Sequence, residues 1–259
     1  MTRLHMTFPC GSKALAGTLD TAPSSSGLLI VTGGSEIRSG AFSGQAQLAA
    51  RLAEAGFPVF RFDRRGVGDS DGEDRGFRAS QNDIAAALAA FRAMAPKVDR
   101  VVGFGNCDAA SALMLGAGTG CDALVLSNPW VIENDSADST PPPAAIRSRY
   151  AEKLRDPKEL ARLLSGGVNL RKLSRGLLRA VRPAPAPTSL AQGMAAGLSA
   201  FEGPVKILLA AKDRTAQVFE AAWDASDSRI EKCENAGHSY AEPHAREWLY
   251  QQLLAGLKA

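Results

Sequence analysis

Gly105-Asn106-Cys107-Asp108-Ala109 places a thiol where a sharp change of chain direction would make it reactive. An apolar run, Val101-Val102-Gly103-Phe104, precedes it, and a helix-forming run, Ala110 to Leu115, follows it. A strand that turns sharply into a helix thrusts the middle residue out at the helix N-terminus. Small flanking residues let the backbone pass close to its neighbours, the logic of the G-x-S-x-G nucleophile turn. Cys107 stands where serine is usual in that pattern, and Ala109 where the second glycine is usual. A helix N-terminus and a nearby imidazole both favour a cysteine thiolate. The carboxylate of Asp108 opposes that effect, or serves as a helix cap. The plainer reading of Cys107 is a small core residue, as Cys121 and Cys233 are read.

A nucleophile needs a base, and the base needs an orienting acid. In an open sheet both belong at the C-terminal ends of strands. Asp213, in Ala211-Lys212-Asp213-Arg214, follows the strand pattern Val205 to Ala210. His238, in Asn235-Ala236-Gly237-His238-Ser239, follows a last short strand. Cys107, Asp213 and His238 thus form the candidate catalytic set. Each partner has a plainer role open to it: a turn or cap carboxylate for Asp213, a loop imidazole for His238. An oxyanion would be held by the Asp108 amide and by a second amide from Gly34 or Ser35, after the strand end at Thr32-Gly33. Gly68-Asp69-Ser70-Asp71-Gly72 also spells G-x-S-x-G. It does not lead from a strand straight into a helix, and its acids oppose a serine alkoxide, so it reads as a structural turn.

The elements that must position these residues alternate along the chain. Residues 4–8 and 13–19 predict a hairpin turning at 9–12, followed by strands at 28–31, 58–62, 101–104, 122–127, 205–210 and 229–231. Helices are expected at 43–55, 79–95, 110–115 and 242–257, giving an α/β fold with a mostly parallel sheet covered on both faces. Residues 131–200 break the alternation and are expected to form a helical cap or lid, with 1–130 and 201–259 as the core.

Length and composition agree with one such domain: 259 residues, 45% of them hydrophobic. A net charge of +3 does not by itself argue for nucleic acid. No apolar run approaches the ~18 residues of a membrane span. The N-terminus lacks the apolar core of a signal peptide, so a cytoplasmic setting is expected, with peripheral contact to the inner membrane left open. The four cysteines lack C-x-x-C spacing and read as thiols. Three dispersed histidines make no metal site, and no cofactor is expected. Residues 146–182 hold eleven basic side chains, from Arg147 to Arg182, against Glu152, Asp156 and Glu159. That excess is a solvated helical face, or a docking face for an anionic partner: an acyl carrier protein, a polyanionic sugar polymer or a membrane surface.

With these residues in view, the chain resembles the α/β-hydrolase superfamily and, more closely, the exosortase A system-associated hydrolase 1 family. The resemblance is carried by Thr32-Gly33-Gly34, by Ala53 to Asp63, by Arg65-Gly66-Val67-Gly68-Asp69-Ser70, by Asn106 to Ala112 and by Lys153-Leu154-Arg155-Asp156-Pro157-Lys158. It implies a bacterial protein encoded near exopolysaccharide and protein-sorting genes. The function expected is hydrolysis of an acyl ester or thioester, small or carrier-bound, through an acyl-thioester on Cys107. Acyl transfer through the same intermediate is the enzymatic alternative. A non-catalytic binding protein on a hydrolase fold is the alternative from another class.

Overall fold

The computed structural model describes residues 1–133 and 188–259. Among these, eight strands form one sheet: β1 (Arg3–Cys10), β2 (Lys13–Asp20), β3 (Ser26–Val31), β4 (Val59–Phe62), β5 (Arg100–Asn106), β6 (Ala123–Ser127), β7 (Val205–Ala210) and β8 (Ile230–Cys233). Their order is β1-β2-β4-β3-β5-β6-β7-β8. The opening hairpin pairs antiparallel with itself and onto β4, and every pairing from β4 to β8 is parallel. This is the α/β-hydrolase fold that the resemblance implied. The helices are α1 (Gly44–Glu54), α2 (Gln81–Met94), α3 (Asp108–Leu115), α4 (Ser189–Ser199), α5 (Arg214–Ala222) and α6 (Pro243–Lys258).

Strands buried on both faces read as nearly continuous apolar runs, as β3 (SGLLIV) and β6 (ALVLS) do, while β4 (VFRF) buries Arg61 among its apolar residues. Because side chains alternate along a strand, each run feeds two cores. Leu29, Val31, Phe60, Phe62, Leu124 and Leu126 pack with Ile84 and Phe91 of α2, Leu113 of α3, Met194 of α4 and Phe219 of α5. Leu28, Ile30, Val59, Val102, Phe104 and Val125 pack with Leu48 and Leu52 of α1 and Leu249 and Leu253 of α6. Each fully buried Leu or Phe contributes roughly 1.5–3 kcal/mol, so the sheet is clamped from both sides while its C-terminal edge stays free for loops.

The structure departs from the sequence reading at three elements. β1 runs through Pro9 to Cys10, and the turn tightens to Gly11-Ser12. Proline is tolerated there because β1 is an edge strand. Helix α5 was not expected. It forms because Asp213 caps it, its carboxylate accepting the amides of Thr215 at 3.2 Å and Ala216 at 3.1 Å. Helix α4 lies within the expected cap segment, and it rests on α3 with Leu190, Met194 and Leu198 in the core. Residues 134–187, including the basic stretch and the Lys153–Lys158 motif, lie outside the described residues. No helix among the described residues is long and apolar enough to cross a membrane.

Candidate active site

Cys107 sits between the end of β5 and the start of α3 with φ 63° and ψ −129°, a positive φ that a non-glycine residue rarely adopts. The turn is over-determined by its surroundings. The Cys107 amide donates to the Ser127 carbonyl at 2.9 Å, and the Cys107 carbonyl accepts the Ala110 amide at 3.1 Å and the Trp130 amide at 3.3 Å. Glycine is required two residues upstream, since a Cβ on Gly105 would stand 2.7 Å from the backbone of Ala109 and Ala110. Ala109 itself is fully buried. Strain held by a packed frame is a feature of functional positions.

Asp213 and His238 meet beside this turn, from the ends of β7 and β8. His238 Nδ1 lies 2.8 Å from Asp213 Oδ2, and the carboxylate partner makes Nδ1–H the donor. The Cys107 thiol acts on the same ring, as the second contribution that holds a proton there. Asp213 is buried, and it plays both roles left open for it, capping α5 and holding the imidazole. The His238 backbone is fixed as firmly. Its carbonyl accepts Nδ2 of Asn106 and Nδ2 of Asn128, each at 3.3 Å. Fully buried Asn128 also donates to Asn106 Oδ1 at 2.9 Å and accepts the Ala210 amide at 2.8 Å. The Glu242 carboxylate accepts the Gly237 amide at 3.2 Å. Tyr240 is buried with its hydroxyl 2.9 Å from Ser127 Oγ.

The hydrogen bond to Asp213, then the one to Cys107, raises the His238 pKa from 6.5 to about 10, against the opposing effect of burial. Burial pushes the Cys121 thiol up to about 12, and it also raises Cys10 and Cys233. All three are buried, whereas Cys107 is half-exposed.

The expected oxyanion donors lie on the opposite side of Cys107. Gly34, with φ +55°, and Ser35 follow β3 and approach the elbow closely: a Cβ on Gly33 would stand 2.6 Å from the Asn106 carbonyl and 2.8 Å from Asp108 Oδ1. The Gly34 amide is not open, for it donates to Asp108 Oδ1 at 2.7 Å. Asp108 at the first turn of α3 offers an amide with no carbonyl of its own helix to meet it. Its carboxylate lies near Arg64, whose Nη2 is 3.7 Å from Oδ2 and also donates to the Gly34 carbonyl.

Gly33, Gly34, Ser35, Cys107 and His238 open into a cavity of about 460 Å³. Leu48, Phe104 and Leu249 give it apolar walls, Gln45 and Arg246 polar ones, and Phe42, 87% exposed, stands at its edge. A volume of this size suits a small-molecule group.

Other chemistry-bearing residues fall elsewhere. Ser70 Oγ donates to the Asp63 carbonyl at 2.7 Å and accepts the Ala16 amide at 2.9 Å, which makes it a turn fastener. His244 Nε2 contacts the Glu234 carbonyl at 3.0 Å, and His5 Nδ1 contacts Thr18 Oγ1 at 3.1 Å on the edge hairpin. Sequence reasoning missed Arg64, Asn106 and Asn128 as members of the site. The available signal was position: each is a polar residue at or just past the C-terminal end of a buried strand, where an α/β sheet gathers its site.

The sequence from residue 28 to residue 252 matches the model of a family described as the alpha/beta hydrolase family, and the chain belongs to that family. No curated protein matches it. Among solved structures it is similar to the esterase Pf2001 of Pyrococcus furiosus at 14% identity, covering 99% of this chain and 91% of that one, with a TM-score of 0.63. It is similar to the alpha/beta hydrolase GrgF of Penicillium sp. sh18 at 18% identity, covering 100% and 98%, with a TM-score of 0.61. It is also similar to an alpha-beta serine hydrolase homologue of Coxiella burnetii at 15% identity, covering 99% and 98%, with a TM-score of 0.61. At these identities the likeness is one of fold.

Proposed function

We propose that this member of the alpha/beta hydrolase family hydrolyses acyl esters or thioesters through a Cys107–His238–Asp213 triad. The observation that carries the proposal is that Cys107, at the strained strand-to-helix turn, lines one cavity with His238, which is joined to buried Asp213 at 2.8 Å. His238 takes the Cys107 proton, or holds a thiolate–imidazolium pair formed beforehand. The Cys107 sulfur attacks the substrate carbonyl carbon, and the oxyanion is held by backbone amides at the elbow. The tetrahedral adduct collapses, breaking the bond to the alkoxide or thiolate leaving group, which takes the His238 proton. A thioester on Cys107 remains. Water then loses a proton to His238 and attacks the thioester carbonyl. The C–S bond breaks, the free acid leaves, and the thiolate–imidazolium pair returns.

The causes of the raised His238 pKa fit this sequence of events. Acylation removes the Cys107 contribution, the second of the two main ones holding the proton on the ring. The imidazole of the acyl-enzyme is thereby easier to deprotonate, at the stage where a base is required.

The cap role of residues 131–200, an anionic partner for the basic stretch and a cytoplasmic setting near exopolysaccharide or protein-sorting systems belong to the same proposal. Their support is the charge excess of residues 146–182 and the Cys107-to-Ala112 and Lys153-to-Lys158 resemblance.

The test is time-resolved intact mass after mixing with a p-nitrophenyl acyl ester or an acyl thioester, beside Cys107→Ala. A transient acyl adduct in the native protein alone is expected. Turnover retained by Cys107→Ala would overturn the mechanism. Added alcohol or thiol acceptors then separate hydrolysis from transfer by the product formed.

A further inference from the structure

On the side of Cys107 away from His238, Gly34 is held at both of its backbone polar groups. Its N–H donates to Asp108 Oδ1 at 2.7 Å, and its carbonyl accepts from Nη2 of Arg64. The same Nη2 lies 3.7 Å from Asp108 Oδ2, with the Arg64 side chain 3% exposed and that of Asp108 16%. We propose that Arg64 and Asp108 are a positioning pair for the oxyanion site, which fixes the Ser35 amide, in place of that of Gly34, as the donor that acts with the Asp108 amide. The inference rests on the acyl-transfer reading above.

Peptide geometry carries the argument. The Gly34–Ser35 peptide is planar and trans, so its N–H points opposite to its C=O. Anchoring the Gly34 carbonyl to a buried guanidinium therefore sets the direction of the Ser35 N–H. Ser35 lines the cavity that Cys107 and His238 also line. The Gly34 N–H belongs to the preceding peptide and is already taken up by Asp108, so it is withdrawn from the substrate.

Charge supplies the second part. A lone carboxylate at the elbow would oppose both a thiolate and a developing oxyanion. The Arg64 charge, buried beside it, offsets that field at short range in a site poorly screened by water. Among the described residues Nε and Nη1 of Arg64 have no hydrogen-bond partner. Its contacts at the Gly34 carbonyl and beside Asp108 are thus made through Nη2, the nitrogen that faces the elbow.

Two reactions of the same thiol separate positioning from general damage. Acylation by a p-nitrophenyl ester passes through an oxyanion. Alkylation by iodoacetamide forms an S–C bond as iodide leaves, and no oxyanion arises. Arg64→Met is expected to slow acylation about 10²- to 10³-fold, as for loss of one oxyanion donor, with KM little changed, and to slow alkylation far less, since alkylation loses the charge compensation of the thiolate but no oxyanion support. Arg64→Lys keeps the charge without the planar fork and loses less. Asp108→Ala loses more than Asp108→Asn, which keeps an Oδ1 acceptor for Gly34.

Equal loss of acylation and alkylation would mean a disturbed fold and would overturn the inference, as would unchanged acylation in Arg64→Met. If Arg64→Met does not fold, Arg64→Lys and Asp108→Ala carry the same comparison. An unacylated native protein would instead overturn the triad reading. Native acylation with unaffected variants would overturn this inference alone.

Discussion

The two flanks of Cys107 are held by different physics. On the His238 side the holding groups are mostly neutral: the Asn106 and Asn128 amides on the His238 carbonyl, the Ala210 amide on Asn128, and Tyr240 on Ser127. Asp213 is the main charged member, and its carboxylate is shared with two helix amides and the imidazole. On the Gly34 side the holding groups are ionic, Arg64 against Asp108, and the loop between them is glycine pressed onto the elbow. A neutral amide network loses one bond at a time when altered. A buried ion pair leaves an uncompensated charge when one partner is removed. The base side therefore tolerates change at its edges and fails at its centre, whereas the oxyanion side responds sharply to a change in either partner.

Substitutions along the two flanks test that contrast. The largest effect lies at the point they share: Cys107→Ala is expected to lower turnover by about 10⁴-fold or more and to abolish the acyl adduct seen by intact mass. Next comes the centre of the base side. Asp213→Asn keeps the volume but loses the charge, and turnover is expected to drop by roughly 10³- to 10⁴-fold. In the same variant the His238 pKa moves down from about 10, since the Asp213 hydrogen bond is its largest cause, and NMR titration of the ring reads this directly. A titration left near 10 would break the assignment of cause. Third is the oxyanion side, where Arg64→Met slows acylation about 10²- to 10³-fold.

Smaller effects sharpen the picture of redundancy. Asn128→Leu leaves buried groups without partners and is expected to lower stability by about 1–3 kcal/mol, read as a falling denaturation midpoint. Its effect on turnover should stay well below that of Asp213→Asn, because Asn106 still binds the His238 carbonyl. A last test is the pH dependence of stability. The folded-state His238 pKa is raised above its ordinary 6.5, so its stabilisation is complete below about 6.5 and is lost as pH rises through about 10. The stability difference between the native protein and Asp213→Asn should shrink across that window. A difference that grew with pH would reverse the sign of the linkage.

Much of this architecture was legible in residue order. Uninterrupted apolar runs such as Leu28 to Val31 announce strands covered on both faces, and the separations between them leave room for helices. Cys107 and Asp213 follow mostly apolar strands and His238 follows a last short one, so their place at one edge of the sheet follows from chain direction. Helix α5 was not expected, although a cap was one of the roles open to Asp213, and that residue is both its N-cap and the histidine partner. Helix α4 was hidden by the loss of alternation around it, and only its contact with α3 places it in the core.

The candidates for nucleophile, base and acid were thus set by local pattern: small residues at a strand-to-helix turn, and an imidazole and a carboxylate after later strands. The oxyanion side was decided by tertiary structure alone. Arg64 reads as one more letter in a turn motif, and Asp108 as a helix cap. Their meeting over Gly34 spans separations of 30 and 74 residues. Periodicity and turn chemistry report only near neighbours along the chain. A charge pair across the sheet depends on β3 lying between β4 and β5, and strand order emerges when both faces of the sheet are buried together.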